Sequence, residues 1–132
     1  MIVLDTNILI ELARHNSKIM KFLQNLLEKF PSQPYITAPN YSEFLYGYMK
    51  KDLKKQETAI GFLEQYRILN TSKESSKLFA EIKYRLEKNG KAIPLFDILI
   101  ASIVIDRRGM LVTLDGHFKN IGGLNVAIPD KL

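Results

Sequence analysis

The chain has 132 residues, 46% apolar and 25% charged, a size and composition suited to one soluble domain with a real hydrophobic core. It has no cysteine, which excludes disulfides, cysteine-ligated zinc, iron–sulfur clusters and cysteine nucleophiles. The 19 basic and 14 acidic side chains give a net charge of +5, suited either to a polyanionic partner or to a solvated lysine-rich surface.

In chain order, Ile2-Val-Leu reads as a short buried strand ending at Asp5, and a helix follows from Asn7 with Ile8, Leu9 and Leu12 at helical spacing. The apolar stripe Ile19, Phe22, Leu23, Leu26, Leu27 and Phe30 predicts a second helix over Ser17–Phe30, broken by Pro31 and Pro34. Tyr35-Ile-Thr-Ala makes the next strand. A helix over about Asn40–Lys50 then presents Tyr41, Phe44, Leu45, Tyr48 and Met49, which suit core, a dimer contact or a partner groove. After the charged turn Lys50-Lys-Asp-Leu-Lys-Lys comes a helix running to about Tyr66, then a strand at Arg67-Ile-Leu. Ser72–Lys88 is helical, stopped by Asn89-Gly90. Pro94 opens a helix that is apolar nearly all round over Ile98–Ile105 and is expected at the centre of the fold. Met110-Leu-Val-Thr and Asn125-Val-Ala-Ile supply the last strands. Short apolar strands alternating with helices predict a single α/β domain over residues 1–132, with a central parallel sheet of about four to five strands flanked by helices.

The longest uncharged apolar run in the C-terminal half, Ile98–Ile105, is far below the roughly 20 residues of a membrane span. The N-terminus lacks a basic segment, and Asp5 interrupts its apolar stretch, so no signal peptide is expected. With no cysteine to oxidise, the cytoplasm is the expected location.

Ligands of parallel sheets bind outside the carboxyl ends of the strands. Asp5 ends the first strand and Asp115 closely follows the Leu-Val-Thr strand. Glu43 and Asp97 fall near the starts of helices that face the same edge. Each has an ordinary explanation alone: a helix cap, a favourable charge at a helix start, or a turn residue. Together they predict four converging carboxylates. Asp5 and Asp97 sit in strongly apolar runs with no lysine or arginine within three residues, so a cation is a natural partner. All-oxygen donors suit magnesium or manganese, which activates water and spreads phosphate charge. No Ser–His–Asp arrangement, HExxH, GxxxxGK[ST] or GxGxxG pattern offers a competing chemistry.

Four segments carry a resemblance to a known family. They are Val3-Leu-Asp-Thr-Asn-Ile-Leu-Ile, Asn40-Tyr-Ser-Glu-Phe-Leu-Tyr-Gly, Pro94-Leu-Phe-Asp-Ile-Leu-Ile-Ala-Ser, and Leu111-Val-Thr-Leu-Asp-Gly-His-Phe with Ile121-Gly-Gly-Leu-Asn-Val behind it. In this order, across essentially the whole chain, they resemble the acidic motifs of PIN-domain nucleases, and the small size resembles VapC-type toxins of toxin–antitoxin pairs. The resemblance implies a magnesium- or manganese-dependent endoribonuclease, a homodimer, and a VapB-type antitoxin that blocks the site. It implies Asp5, Glu43, Asp97 and Asp115 as the acids, Asp5 and Asp97 foremost as direct ligands, with Asn7 and Thr113 supporting them. His117 stands where many members carry aspartate, although histidine also occurs, so only four acids carry over. Lys50, Lys51, Lys54 and Lys55 are candidate RNA-phosphate contacts, against the plainer reading of a solvated turn. Alternatives from the sequence are a PIN nuclease of RNA processing or decay without an antitoxin, a non-catalytic PIN-like binding module, and an aspartyl-phosphate phosphatase or receiver domain. Those phosphatases need Asp-x-Asp after the first strand, where this chain has Asp5-Thr-Asn7.

Overall fold

The computed structural model describes residues 1–129; residues 130–132 of the expected domain lie outside the described residues. Five strands of three residues each, β1 (Ile2–Leu4), β2 (Tyr35–Thr37), β3 (Arg67–Leu69), β4 (Met110–Val112) and β5 (Asn125–Ala127), form one parallel sheet. Their order is β3-β2-β1-β4-β5, so the first strand is central and each of its neighbours is reached by a crossover. Helices α1 (Thr6–Ala13), α2 (Ser17–Lys29), α3 (Ala38–Lys51), α4 (Gln56–Leu63), α5 (Lys73–Lys88) and α6 (Leu95–Asp106) supply the layers on either side.

The register explains why the central strands β1 and β4 are apolar throughout rather than alternating, unlike the edge strands β3 and β5 with their exposed Arg67 and Asn125. Val3 pairs with Tyr35 and Leu111, and Leu111 with Val126. These residues point to the face covered by α5 and α6, against Ile82, Leu86, Ile98, Ala101 and Val104. Ile2, Leu4, Ile36 and Val112 point the other way, against Ile8, Leu9, Ile19, Leu23, Phe44 and Leu63. A sheet covered on both faces needs an apolar residue at every position. Full burial of each such side chain contributes about 1.5–3 kcal/mol, so Leu4→Ala is expected to cost about 2–5 kcal/mol.

Local signals set the element ends. Thr37 and Asn40 form a reciprocal capping box at the start of α3, and Ser72 and Ser75 do the same for α5. Gly90, at φ +67°, takes the left-handed position after α5. At Gly109 a Cβ would lie 3.3 Å from both the Met1 carbonyl and Val3 Cγ2, so the entry to β4 comes close to β1 only with glycine there.

The structure corrects several expectations. Helix α4 stops at Leu63 rather than near Tyr66, and a 3₁₀ turn at Leu53–Lys55 precedes it. Strand β4 ends at Val112 rather than Thr113, although the Thr113 N–H still donates to the Ala127 carbonyl at 3.1 Å. In α6 the buried residues Ile98, Ile100, Ala101, Ile103 and Val104 fall within the stretch Ile98–Ile105 expected to be central, while Leu95 and Phe96 in its first turn are 56% and 46% exposed. The aromatic stripe of α3 packs inward, with Phe44 stacked on Tyr48 (4.7 Å) and on Phe62 of α4 (5.1 Å). Among the described residues, no helix is long and apolar enough to cross a membrane.

Candidate active site

The site begins where β1 ends. Asp5 N–H donates to the Val112 carbonyl at 2.9 Å, carrying the β1–β4 ladder one step past the strand. Its own carbonyl accepts from Ile8 and Leu9, opening α1. The carboxylate is buried yet well supplied: Oδ1 accepts from Thr6 N (2.9 Å) and Asn40 Nδ2 (3.2 Å), and Oδ2 from the Thr113 hydroxyl (2.6 Å). Asp5 is therefore a helix cap as well as a site acid; one residue serves both purposes.

Two fully buried polar side chains hold it. Thr113 Oγ1, while donating to Asp5, accepts from Asn7 Nδ2 (3.3 Å) and from the Asp115 backbone (3.1 Å). Asn7 Oδ1 in turn accepts from Leu114 N at 3.1 Å, fixing the loop that carries Asp115. On the opposite side, Asn40 Oδ1 accepts from the Thr37 backbone and hydroxyl, and its amide donates to Asp5 Oδ1 and Thr6 Oγ1. Thr6 Oγ1 then donates to Glu43 Oε1 at 2.8 Å, tying α1 to α3.

The other two acids are joined differently. Asp97, in the first turn of α6, lies 2.9 Å from His117 Nε2 through Oδ2, and Asp115 Oδ1 lies 2.7 Å from His117 Nδ1. The ligand-capable atoms of Asp97, Asp115 and His117 all fall within 4.8 Å of one another.

Three of the four acids hold their protons more tightly than ordinary carboxylates do. For Asp5 and Glu43 the principal cause is burial, with the field of neighbouring acids as a smaller addition: Asp97 acts on Asp5, and both Asp5 and Asp97 act on Glu43. Burial also leads at Asp97, partly offset by the hydrogen bond and charge of His117, and Asp115 adds to the upward shift. Desolvation thus outweighs mutual repulsion as the cause of these upward shifts. Among the described residues, none of the four has a lysine or arginine ion-pair partner. Mutually repelling carboxylate oxygens that no lysine or arginine neutralises are a donor set that fits a hard divalent cation.

The structure thus places Asp5, Glu43 and Asp97 within each other's fields and Asp97 beside Asp115, with Asn7 and Thr113 bonded among them. Among the described residues, however, only Asp97, Asp115 and His117 have ligand atoms gathered within 4.8 Å, and Asp5 and Glu43 stand outside that group. It carries Lys50, Lys51, Lys54 and Lys55 elsewhere: they are exposed at and beyond the far end of α3, about 10 Å or more along the axis from Glu43. Thr6 and Asn40 went unassigned in the sequence. Asn40 was findable, since Thr37-Ala-Pro-Asn40 has capping-box spacing and places its amide beside the end of β1. Nothing in the sequence marks the Thr6 hydroxyl.

The PIN domain family matches residues 2–124. The chain belongs to the PIN-domain family. Among solved structures, this PIN domain is similar to a chain of VapBC2 from Rickettsia felis, a complex bound to a DNA fragment from its promoter. The two are 30% identical over 98% of this chain and 100% of that one, with a TM-score of 0.86. A chain of VapBC-1 from nontypeable Haemophilus influenzae shares the fold at 21% identity and a TM-score of 0.84, covering 99% and 100% of the two chains. A chain of a toxin–antitoxin complex from Klebsiella pneumoniae matches at 25% identity and a TM-score of 0.74, with full coverage of both. No match was found among the curated proteins.

Proposed function

We propose that this PIN domain is a metal-dependent endoribonuclease, the toxin component of a type II toxin–antitoxin pair. The observation that carries the reading is the convergence of four carboxylates from four separate segments with no lysine or arginine partner among the described residues. Asp5, Glu43, Asp97 and Asp115 would hold Mg2+ or Mn2+. When bound, such an ion lowers the pKa of a water and neutralises charge on phosphate oxygens. The chain's own part is to fix the acids. Thr113, Asn40 and the Thr6 backbone hold Asp5, so its carboxylate needs no reorganisation when a cation arrives. Glu43, tethered at Oε1 by Thr6, has its second oxygen to take a proton from the attacking water. The net positive charge of the chain draws the RNA to this acidic pocket, and the lysines at Lys50, Lys51, Lys54 and Lys55 serve as remote phosphate contacts.

The toxin assignment, and with it a VapB-type antitoxin, a homodimer and a cytoplasmic setting, is supported by the end-to-end similarity to a chain of the Rickettsia felis VapBC2 complex. Its test is to incubate the purified protein with structured RNA in magnesium, manganese or EDTA, beside Asp97→Asn. Metal-dependent cleavage that disappears in EDTA and in the variant is expected. Cleavage persisting in both would overturn the four-carboxylate mechanism. Growth arrest on expression, relieved by co-expressing an adjacent small DNA-binding protein, is the expected behaviour of the toxin. Failure of every adjacent product to relieve it would favour a nuclease of RNA decay.

A further inference from the structure

His117 stands between two carboxylates that arrive from different parts of the chain. Its Nδ1 lies 2.7 Å from Asp115 Oδ1 and its Nε2 lies 2.9 Å from Asp97 Oδ2. Asp115 grips this residue twice, because the same Oδ1 also accepts from the His117 backbone at 3.2 Å. The ring leans on Phe118, with centroids 4.8 Å apart, and Phe118 is fully buried in the core beside α6. Position and orientation of the imidazole are thus both fixed, and the nitrogen directed at Asp97 is Nε2.

With Nδ1 engaged by Asp115, Nε2 is the nitrogen left facing Asp97. A cation arriving between them would take the Nε2 lone pair in place of that hydrogen bond, the arrangement in which histidines ligate metals. The donor atoms of Asp97, Asp115 and His117 already gather within 4.8 Å. We propose that His117 is a nitrogen ligand of the metal centre, its Nε2 binding beside Asp97 while Asp115 orients the ring. This rests on the metal-dependent reading above and adds a consequence to it. Magnesium prefers oxygen donors, whereas imidazole suits manganese and the later transition ions, so this centre favours manganese over magnesium more than an all-carboxylate site does.

The test uses the full chain loaded with Mn2+ and read by pulsed electron paramagnetic resonance. A nitrogen modulation is expected in the wild type, changing from the 14N to the 15N pattern when histidine alone is isotopically labelled. It should vanish in His117→Ala and persist in His15→Gln, since His15 is exposed at the turn after α1. Calorimetry should show the manganese-to-magnesium affinity ratio falling roughly tenfold or more in His117→Asp, the scale on which loss of a metal-site partner acts. The labelled wild-type experiment needs no variant to fold. Manganese bound without nitrogen coupling, and an unchanged affinity ratio, would show that His117 merely fastens two acids together, and the nuclease reading would survive. No binding of either ion would overturn both.

Discussion

The two halves of the site are built on opposite terms. Asp5 is buried, and every side-chain or backbone group that donates to it, from Thr6, Asn40 and Thr113, is uncharged. Asp97 and Asp115 are more open, their side chains 18% and 42% exposed, and a histidine ring joins them. Neutral donors hold Asp5 in place without relying on a partner's charge. The Asp97–His117–Asp115 half is held by a single imidazole that meets one carboxylate through each ring nitrogen. A rigid acid opposite an adjustable pair is a workable way to admit a cation without rebuilding the fold, because only the pair has to rearrange.

The largest expected effect lies in the adjustable half. Asp97→Asn keeps a hydrogen-bond acceptor for His117 and removes a charge that burial already disfavours. The protein is expected to fold, with a melting temperature in EDTA equal to or above that of the wild type. Cleavage should fall by about two to three orders of magnitude, corresponding to several kcal/mol of charge stabilisation. Lost activity with a lowered melting temperature would mean that Asp97 is a structural acid.

Thr113→Val strikes the rigid half. It leaves the buried Asp5 Oδ2 without its 2.6 Å donor and the Asp115 backbone without its acceptor. A cost of about 1–3 kcal/mol is expected from chemical denaturation, together with a roughly tenfold loss of metal affinity. Near-wild-type stability would show that the loop re-satisfies these groups by itself.

These networks mark where sequence reasoning ends. The sheet, its parallel sense and the sidedness of the helices were legible, because short apolar strands and capped helices such as Ser72–Lys88 obey local rules. The acids were legible because charge inside apolar runs, as at Asp5 and Asp97, demands an explanation. The exposed first turn of α6 was not: nothing in Leu95-Phe96 distinguishes two apolar residues left at the surface from the buried run that begins at Ile98. Thr6 and His117 were equally hidden in their roles. A hydroxyl or an imidazole acquires such a role from what lies across the fold, 37 residues away for Thr6 and Glu43 and 20 for His117 and Asp97.

Raised carboxyl pKa values are common to both halves, and their effect on stability is smaller. Asp5, Glu43 and Asp97 bind protons more tightly folded than unfolded, so the metal-free protein gains stability from them at pH values below about 4. That contribution is lost as pH rises through the raised folded-state values. Scanning calorimetry in EDTA should therefore show wild type losing ground against Asp97→Asn as pH rises from about 4 toward neutrality, with saturating magnesium restoring much of the deficit. Parallel pH profiles for the two proteins would contradict the upward shift at Asp97.

The smallest effect is expected at Thr6, and its smallness is informative. Thr6→Val deletes the hydroxyl that donates to Glu43 Oε1 and accepts from Asn40 Nδ2. It is the same chemical change as Thr113→Val, made beside a half-exposed carboxylate instead of a buried one. Water can replace the lost donor at Glu43, and Asn40 retains its bond to Asp5, so the stability cost should stay below about 1 kcal/mol. Activity should fall by only a few-fold through a less well positioned Glu43, and Thr6→Ser should restore it. If instead Thr6→Val matched Thr113→Val in both readouts, the donor network would be acting as one cooperative unit spanning Glu43, Asn40 and Asp5, and the boundary between the rigid and adjustable halves would have to move outward to include α3.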